Sequence, residues 1–325
     1  MIKTVLITGA GGFIGSHLTE QCVKQGYKVK AFVRYNGKND WGWLESSSVK
    51  NKIEVICGDV RDYDSVAQAV KGCDTVFHLA ALIGIPYSYK SPLAYIKTNV
   101  EGTYNILQAS REDAVKQVLV TSTSETYGSA QYVPIDEKHP ANAQSPYAAS
   151  KVAADQLALS FYRSFSLPVK IVRPFNTYGP RQSARAIIPT VITQILAGRR
   201  EIALGNLTPT RDLTYVTDTA KAFLAIAHTS ATIGKTVNIG MNEEISIGDL
   251  VQLIAQRMNK KVKISTETQR RRGKATEVER LKCDNSQIIQ LTGWRPTYTL
   301  SDGIDENIAW LKKHQYMYKA DIYNV

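Results

Sequence analysis

The chain has 325 residues, 43% of them hydrophobic, with 40 lysines and arginines against 29 aspartates and glutamates, a formal charge of +11. The apolar fraction excludes a disordered chain, and 21 glycines and 11 prolines without a period exclude collagen-like or low-complexity sequence. No run of about 18 apolar residues is present to span a membrane. Cys22, Cys57, Cys73 and Cys283 form no CxxC pair, and Met1-Ile2-Lys3-Thr4 runs straight into a strand-like segment. The expectation is a cytoplasmic protein with neither a zinc site nor a leader peptide. The surplus charge is local: residues 257–282 hold 10 basic and 3 acidic side chains. Such a cluster fits nucleic acid, a small anion or a solvated face.

In chain order, Thr4–Thr8 reads as a buried strand, 13–24 as a helix and 27–33 as a second strand. A strand at 53–57, a helix at 63–70 and a strand at 75–79 follow. The next segments are a long helix at 92–110, a strand at 118–121, a long helix at 146–165 and a strand at 169–173. Apolar strands alternating with helices at this spacing predict an α/β fold, a Rossmann-type doubly wound parallel sheet covered on both faces. Beyond Pro174 the rhythm loosens. Helices are predicted at 187–197, 217–227, 247–258 and 303–312, and short strands at 201–204, 236–239 and 262–264. The length agrees with two lobes. Residues 1–175 read as a dinucleotide-binding and catalytic domain, and 176–325 as a smaller α/β substrate lobe interleaved with it.

Gly9-Ala10-Gly11-Gly12-Phe13-Ile14-Gly15 lies between the first strand and the first helix, with Gly9, Gly12 and Gly15 in GxxGxxG spacing. Glycines there allow a tight turn and close approach of backbone to a pyrophosphate, and the helix N-terminus adds free N–H groups. The second strand ends in Arg34, where an acidic residue would favour NAD. A guanidinium suits the 2′-phosphate of NADP, or it stacks on the adenine of NAD. Asp59 and Val60 follow the third strand, with Asp59 placed to accept from the adenine amino group. Leu79, Ala80 and Ala81 follow the fourth, where small residues admit the cofactor. His78 reads as a strand-end hydrogen bonder.

Tyr147 and Lys151 are four apart and share one helix face. An ammonium beside a phenol favours the phenolate, and a tyrosine so tuned can take a hydroxyl proton. Thr123, Ser124 and Glu125 follow the fifth strand, at the strand end where α/β sheets hold ligands. Thr123 is placed to bond the reacting hydroxyl. Glu125 is suited to removing a carbon-bound proton beside a ketone, after which water can leave.

These motifs resemble the extended short-chain dehydrogenase/reductases that modify nucleotide sugars. The resemblance runs through Asn99-Val100-Glu101-Gly102-Thr103, Arg173-Pro174-Phe175-Asn176-Thr177-Tyr178-Gly179-Pro180, Arg211-Asp212-Leu213-Thr214-Tyr215-Val216-Thr217-Asp218 and Gly293-Trp294-Arg295-Pro296. Thr123-Ser124-Glu125 is similar to the version in GDP-mannose 4,6-dehydratases. The dTDP-glucose enzymes carry an acid where Ser124 stands, so the resemblance implies that Glu125 both takes the C5 proton and returns it to the leaving hydroxyl. The implied reaction starts with Tyr147, supported by Lys151 and Thr123, removing the 4-hydroxyl proton as C4 is oxidised by tightly bound NAD(P), which is regenerated. Water is then lost across C5 and C6, and hydride returns to C6. Asn99 joins the implied cofactor set.

The resemblance further implies that Asn176, Arg181, Arg185, Arg211, Arg272 and Glu277 bind a nucleotide diphosphate sugar. The sequence is most similar to the 4,6-dehydratase of bacterial legionaminic-acid biosynthesis, which implies GDP- or UDP-N-acetylglucosamine as substrate. A nucleic-acid partner is not expected, since the basic segment lacks interleaved aromatics or a recognised module. In this family the helices at 92–110 and 146–165 pair across a homodimer; burial within the monomer is the alternative. Trp41 and Trp43 shield the adenine, pack at a subunit contact or simply pack their loop. The competing functions are a 4-epimerase, against which Glu125 speaks, and a dinucleotide-binding scaffold, against which the intact Thr123, Tyr147 and Lys151 speak.

Overall fold

The computed structural model describes residues 3–267, 270, 273 and 276–319. The first half alternates strands and helices in the order β1 (Thr4–Thr8), α1 (Phe13–Lys24), β2 (Lys28–Arg34), β3 (Ile53–Gly58), α2 (Tyr63–Val70) and β4 (Thr75–His78). It continues through α3 (Ile85–Lys90), α4 (Pro92–Tyr95), α5 (Gly102–Glu112), β5 (Gln117–Thr121), α6 (Pro146–Phe165) and β6 (Val169–Pro174). The remainder holds β7 (Asn176–Tyr178), α7 (Ile187–Leu196), β8 (Glu201–Leu204), β9 (Thr210–Arg211), β10 (Leu213–Tyr215), α8 (Val216–His228) and β11 (Thr236–Ile239). Last come β12 (Ile245–Ser246), α9 (Ile247–Arg257), β13 (Lys263–Thr266), α10 (Ser286–Thr292) and α11 (Leu300–Lys313).

The central sheet has seven parallel strands in the order β11-β6-β5-β4-β1-β2-β3. Its order reverses direction beside β1, the position where doubly wound sheets open a ligand crevice. Apolar cores cover both faces. One packs Leu18 and Cys22 of α1 with Phe223 and Ile226 of α8 on Val5 and Ile7. The other packs Val66 of α2, Ile106 of α5 and Phe161 of α6 on Leu6, Val118 and Ile171. The expected division at residue 175 is crossed twice: α8 covers the first sheet and β11 extends it beyond β6. The second lobe gathers α7, α9 and α11 around Ile192, Leu204, Ile254 and Ile308, with the short pairs β7–β10, β9–β12 and β8–β13.

The segment predicted as one helix over 92–110 is interrupted. Between α4 and α5 the backbone makes a π-helical turn, Ile96–Glu101. The extra residue turns Asn99 inward, where it is almost fully buried. Such insertions concentrate at functional sites. Helix α6 starts on Ser145, whose side chain accepts from Ala148 N, with Pro146 in its first turn.

A buried ion pair ties α6 to the sheet. Arg173 Nη2 on β6 donates to Asp155 Oδ2 at 2.7 Å, and Ser122 Oγ donates to the same oxygen at 2.5 Å. Removing one partner of such a pair leaves an uncompensated buried charge. Arg173→Leu is expected to lower unfolding free energy by about 3–5 kcal/mol in urea titrations, and a loss below about 1 kcal/mol would show the pair to be dispensable.

Candidate active site between the lobes

A cavity of about 1210 Å³ runs between the lobes. At one end lie Gly9, Gly12, Phe13, Ile14 and Gly15 at the start of α1, with Arg34, Leu79, Ala80 and Ala81 from the ends of β2 and β4. A Cβ at Gly15 would lie 2.2 Å from Gly9 O, and one at Gly9, where φ is +68°, would lie 2.9 Å from Ala80 N, so the strand-to-helix turn closes only because both positions are bare. That cradle fits a dinucleotide pyrophosphate: the turn brings backbone N–H groups at the α1 N-terminus to the cavity wall. Trp41 lines the same end, and Trp43 N donates to Gly11 O at 3.0 Å. The Trp43 ring stands edge-on to Trp310 of α11, centroids 5.5 Å apart, so the loop links the Gly-rich turn to the second lobe within one chain.

At the centre Thr123, Glu125, Tyr147 and Lys151 share the wall. Residues Ser124–Tyr127 form a 3-10 turn started by Thr123, whose Oγ1 accepts from Glu125 N at 3.3 Å. The turn separates its first two side chains: Glu125 is half-buried on the cavity, whereas Ser124 is 2% exposed and off the cavity wall. Burial pushes the Tyr147 phenol up; a hydrogen bond with Thr123 works against this, and the nearby Glu125 carboxylate pushes it further up. Lys151 Nζ donates to Thr121 O at 2.7 Å. Burial brings its ammonium down to about 8, opposed by Asp155 one turn along α6. His78 is bonded at Nδ1 to Thr8 Oγ1, 2.8 Å, and at Nε2 to Thr103 Oγ1, 3.0 Å. Burial, with Lys151 nearby, lowers it to about 3, so it is a neutral strut.

Three residues expected on the cofactor stand off the cavity wall. Asn99 is saturated by Leu82 N, Leu82 O and Ser150 Oγ at 2.8–2.9 Å, so it fixes the loop after β4 to α6. Asp59 is held by Arg61, through Nε at 2.9 Å and Nη2 at 2.5 Å. Val60 is buried against Gly102.

Among the residues expected to bind substrate, Asn176, Arg185, Arg211 and Glu277 line the cavity. Arg181 does not: its guanidinium donates to Ser16 Oγ, 3.1 Å, and Glu20 Oε1, 2.7 Å, bracing the loop against α1. Arg211 is largely occupied within the protein, donating to Thr210 O and Val278 O at 2.8 Å and to Glu277 Oε1 at 3.4 Å. Arg272 lies outside the described residues. Two cavity residues went unnoticed in the sequence. Asn206 Nδ2 donates to Glu277 Oε2 at 2.9 Å, and Gln182 carries an Oε1 that is buried without a partner among the described residues, as is Oδ1 of Asn176. Both are neutral amides in loops, and Gln182 is overshadowed in the sequence by the adjacent Arg181.

A Gly-rich dinucleotide cradle facing a Thr–Tyr–Lys set, with a basic second lobe across the cavity, defines an enzyme of the nucleotide-sugar dehydratase and epimerase class, within the extended short-chain dehydrogenase/reductases. The chain belongs to the GDP-mannose 4,6 dehydratase family, whose model matches residues 6–307. It is 30% identical over 325 residues to the human dTDP-D-glucose 4,6-dehydratase, spanning 98% of this chain and 92% of that one. It is 31% identical over 315 residues to a putative UDP-glucose 4-epimerase of Methanocaldococcus jannaschii, spanning 95% and 99%. The solved dTDP-glucose 4,6-dehydratase of Streptomyces venezuelae, with NAD bound, matches at a TM-score of 0.87 and 25% identity over 97% of this chain and 99% of that one.

Proposed function

We propose that the chain is a nucleotide-sugar 4,6-dehydratase that converts GDP- or UDP-linked N-acetylglucosamine to the 4-keto-6-deoxy sugar. The observation that carries this reading is the Glu125 carboxylate on the cavity wall, close enough to Tyr147 to act on its phenol. Proton and hydride exchange at C4 alone needs no second base; loss of water across C5 and C6 does. NAD(P), which the Gly9–Gly15 turn and Leu79–Ala81 would hold, would supply the hydride chemistry between C4 and C6. Tyr147 takes the 4-hydroxyl proton, and Thr123 orients that hydroxyl. Lys151, fixed by Thr121 O, favours the phenolate. Glu125 takes the C5 proton, made acidic by the 4-ketone, and delivers it to the departing 6-hydroxyl. As C6 is reduced, C5 regains a proton from solvent through Glu125, and Tyr147 releases the 4-hydroxyl proton to solvent, so the protons balance. Ser124, turned away from the cavity, leaves Glu125 to do both.

Arg34 stands at the adenosine-ribose end and extends the cofactor reading to NADP. The exposed Leu93, Ile96, Tyr104, Tyr162 and Phe165 on the α4–α5 and α6 segments supply an apolar face for a second copy, and the reading includes a homodimer. Four free cysteines agree with a cytoplasmic setting.

Mass spectrometry of reactions with a panel of nucleotide sugars tests the function: the expected product is lighter by one water, and epimerisation without mass loss would overturn the reading. Glu125→Gln is expected to slow water loss about 10²–10⁴-fold while C4 oxidation persists; full turnover in this variant would remove Glu125 from the mechanism. Arg34→Ala is expected to weaken NADP binding on the order of 10–100-fold, by loss of a charge-assisted hydrogen bond, and to leave NAD binding nearly unchanged. Equal affinities for NADP before and after the substitution would discard the 2′-phosphate role.

The pH dependence follows from the pair. A phenolate at Tyr147 with an ammonium at Lys151 has the same proton count as a phenol with an amine. The productive form therefore becomes populated as pH rises through about 8, the lysine value. The expected kcat/KM falls about tenfold per pH unit below that point. In Lys151→Met the limb moves up toward the tyrosine's own raised value, and activity drops about 10²–10⁴-fold. A rate profile flat across that range would sink the assignment.

A further inference from the structure

Arg185 is set apart from the other described second-lobe arginines on the cavity wall. Arg211 is taken up by Glu277 and two carbonyls, and Arg270 Nε donates to Glu267 Oε2 at 2.7 Å. Among the described residues, the one hydrogen bond from the Arg185 guanidinium is Nε to Ser183 Oγ at 3.2 Å. Its Nη groups face elsewhere. A Cβ on Gly84 would lie 2.0 Å from Arg185 Nη1, 3.3 Å from its Cζ and 3.5 Å from Tyr95 Oη. The guanidinium of a second-lobe residue thus rests on the bare backbone of the first lobe's β4–α3 loop. Tyr95 Oη donates to Gly84 O at 2.5 Å, and the Tyr95 ring stands edge-on to Tyr147, centroids 6.2 Å apart. Arg185 is therefore linked through Gly84 and Tyr95 to the reacting phenol, where the hexose must sit, and takes no part in the bonded group of Arg211, Glu277 and Asn206.

The surroundings say what that arginine meets. Ile83, Ile85 and Pro86 of the same loop and Ile187 beside Arg185 all line the cavity. A planar donor fork bordered by apolar side chains suits a group with a planar oxygen acceptor and a methyl. A hydroxyl offers no methyl, and a diphosphate gains nothing from isoleucine walls. The geometry points to Arg185 as the residue that selects the sugar, donating to the carbonyl oxygen of a 2-acylamino substituent whose methyl packs on the isoleucines. This rests on the dehydratase reading and names the part of the substrate that the cavity recognises. Gly84 is its counterpart, since any side chain there would displace the guanidinium.

The test compares the wild type with Arg185→Gln, Arg185→Lys and Gly84→Ala. Turnover is measured with the UDP- and GDP-linked forms of N-acetylglucosamine and of glucose, and calorimetry gives affinities for these and for free UDP and GDP. In Arg185→Gln the kcat/KM preference for the N-acetylated sugar is expected to fall on the order of 10–100-fold, as for loss of a hydrogen bond from a charged donor. Arg185→Lys keeps the charge but not the fork and loses part of that preference; Gly84→Ala, with the arginine intact, loses it as well. Free nucleoside diphosphate binds all variants within about twofold. Equal weakening of both sugars and of the free diphosphates would put Arg185 on the phosphates and overturn the proposal. An unchanged preference in all three variants would reduce it to a brace between lobes. If the wild type removes water from no nucleotide sugar, the dehydratase reading fails by itself, and the calorimetric preference for the acylated sugar still decides the role of Arg185.

Discussion

The site depends on one buried contact, the pairing of Asp155 with Arg173. Asp155 lies one turn beyond Lys151 on α6, and Arg173 lies on β6 just before the chain enters the second lobe. Ser122, the residue just after β5, bonds both, accepting from Arg173 Nε at 3.2 Å and donating to Asp155 Oδ2. The guanidinium also covers the Tyr127 ring, 4.6 Å from its centroid, and Tyr127 Oη donates to Asn238 on β11. The helix with the phenol and the ammonium, the turn with Thr123 and Glu125 and the strand leading to the second lobe thus share one charged centre. Because the pair is largely buried, these segments cannot drift independently without leaving a charge uncompensated in the interior. The same carboxylate holds up the ammonium of Lys151, which burial alone would lower further.

Around that centre, polar side chains are arranged to restrict the first lobe's loops. The π-helical turn points Asn99 at the loop after β4 and at Ser150, and Thr103 bonds both Asn99 O and His78. The loop beside the Gly-rich turn is consequently set by side chains that do not line the cavity. Dinucleotide and sugar need their reacting atoms within a few tenths of an ångström of the productive position, and a loop left to itself supplies no such precision.

The parallel sheet was legible in the sequence because its signals are local: apolar runs of strand length, glycines at a strand–helix turn and helices of matching span. Tyr147 and Lys151 were legible for the same reason, since four residues on a helix fix a shared face. The π-helical turn was not, because a change of hydrogen-bond register leaves no compositional mark. The arginines were the least legible. Arg181, Arg185 and Arg211 look equivalent as letters, yet Glu20, 161 residues away, takes the first, and Glu277 takes the third. Only long-range pairing separates a strut from a ligand-binding cation. The partners of Asp59 and Asn99 were illegible for a similar reason: Arg61 bonds the first, and Ser150, 51 residues away, the second.

That sorting also changes what the excess positive charge means. A guanidinium whose donors are already on carboxylates or carbonyls adds little new attraction for a diphosphate, because its hydrogen-bonding directions are occupied and its charge is largely balanced. Arg173, Arg181, Arg257 and Arg280 are all ion-paired, so net charge overstates the affinity of the cavity for anions. Recognition then falls to the few groups left with open valence on the cavity wall. Gln182 Oε1 and Asn176 Oδ1 are buried behind the wall without a partner among the described residues, so they are unsatisfied acceptors rather than exposed ones. The Arg185 fork asks for an acceptor. A donor fork bordered by apolar side chains in the second lobe's part of the cavity matches a sugar bearing an acyl group better than it matches phosphate alone.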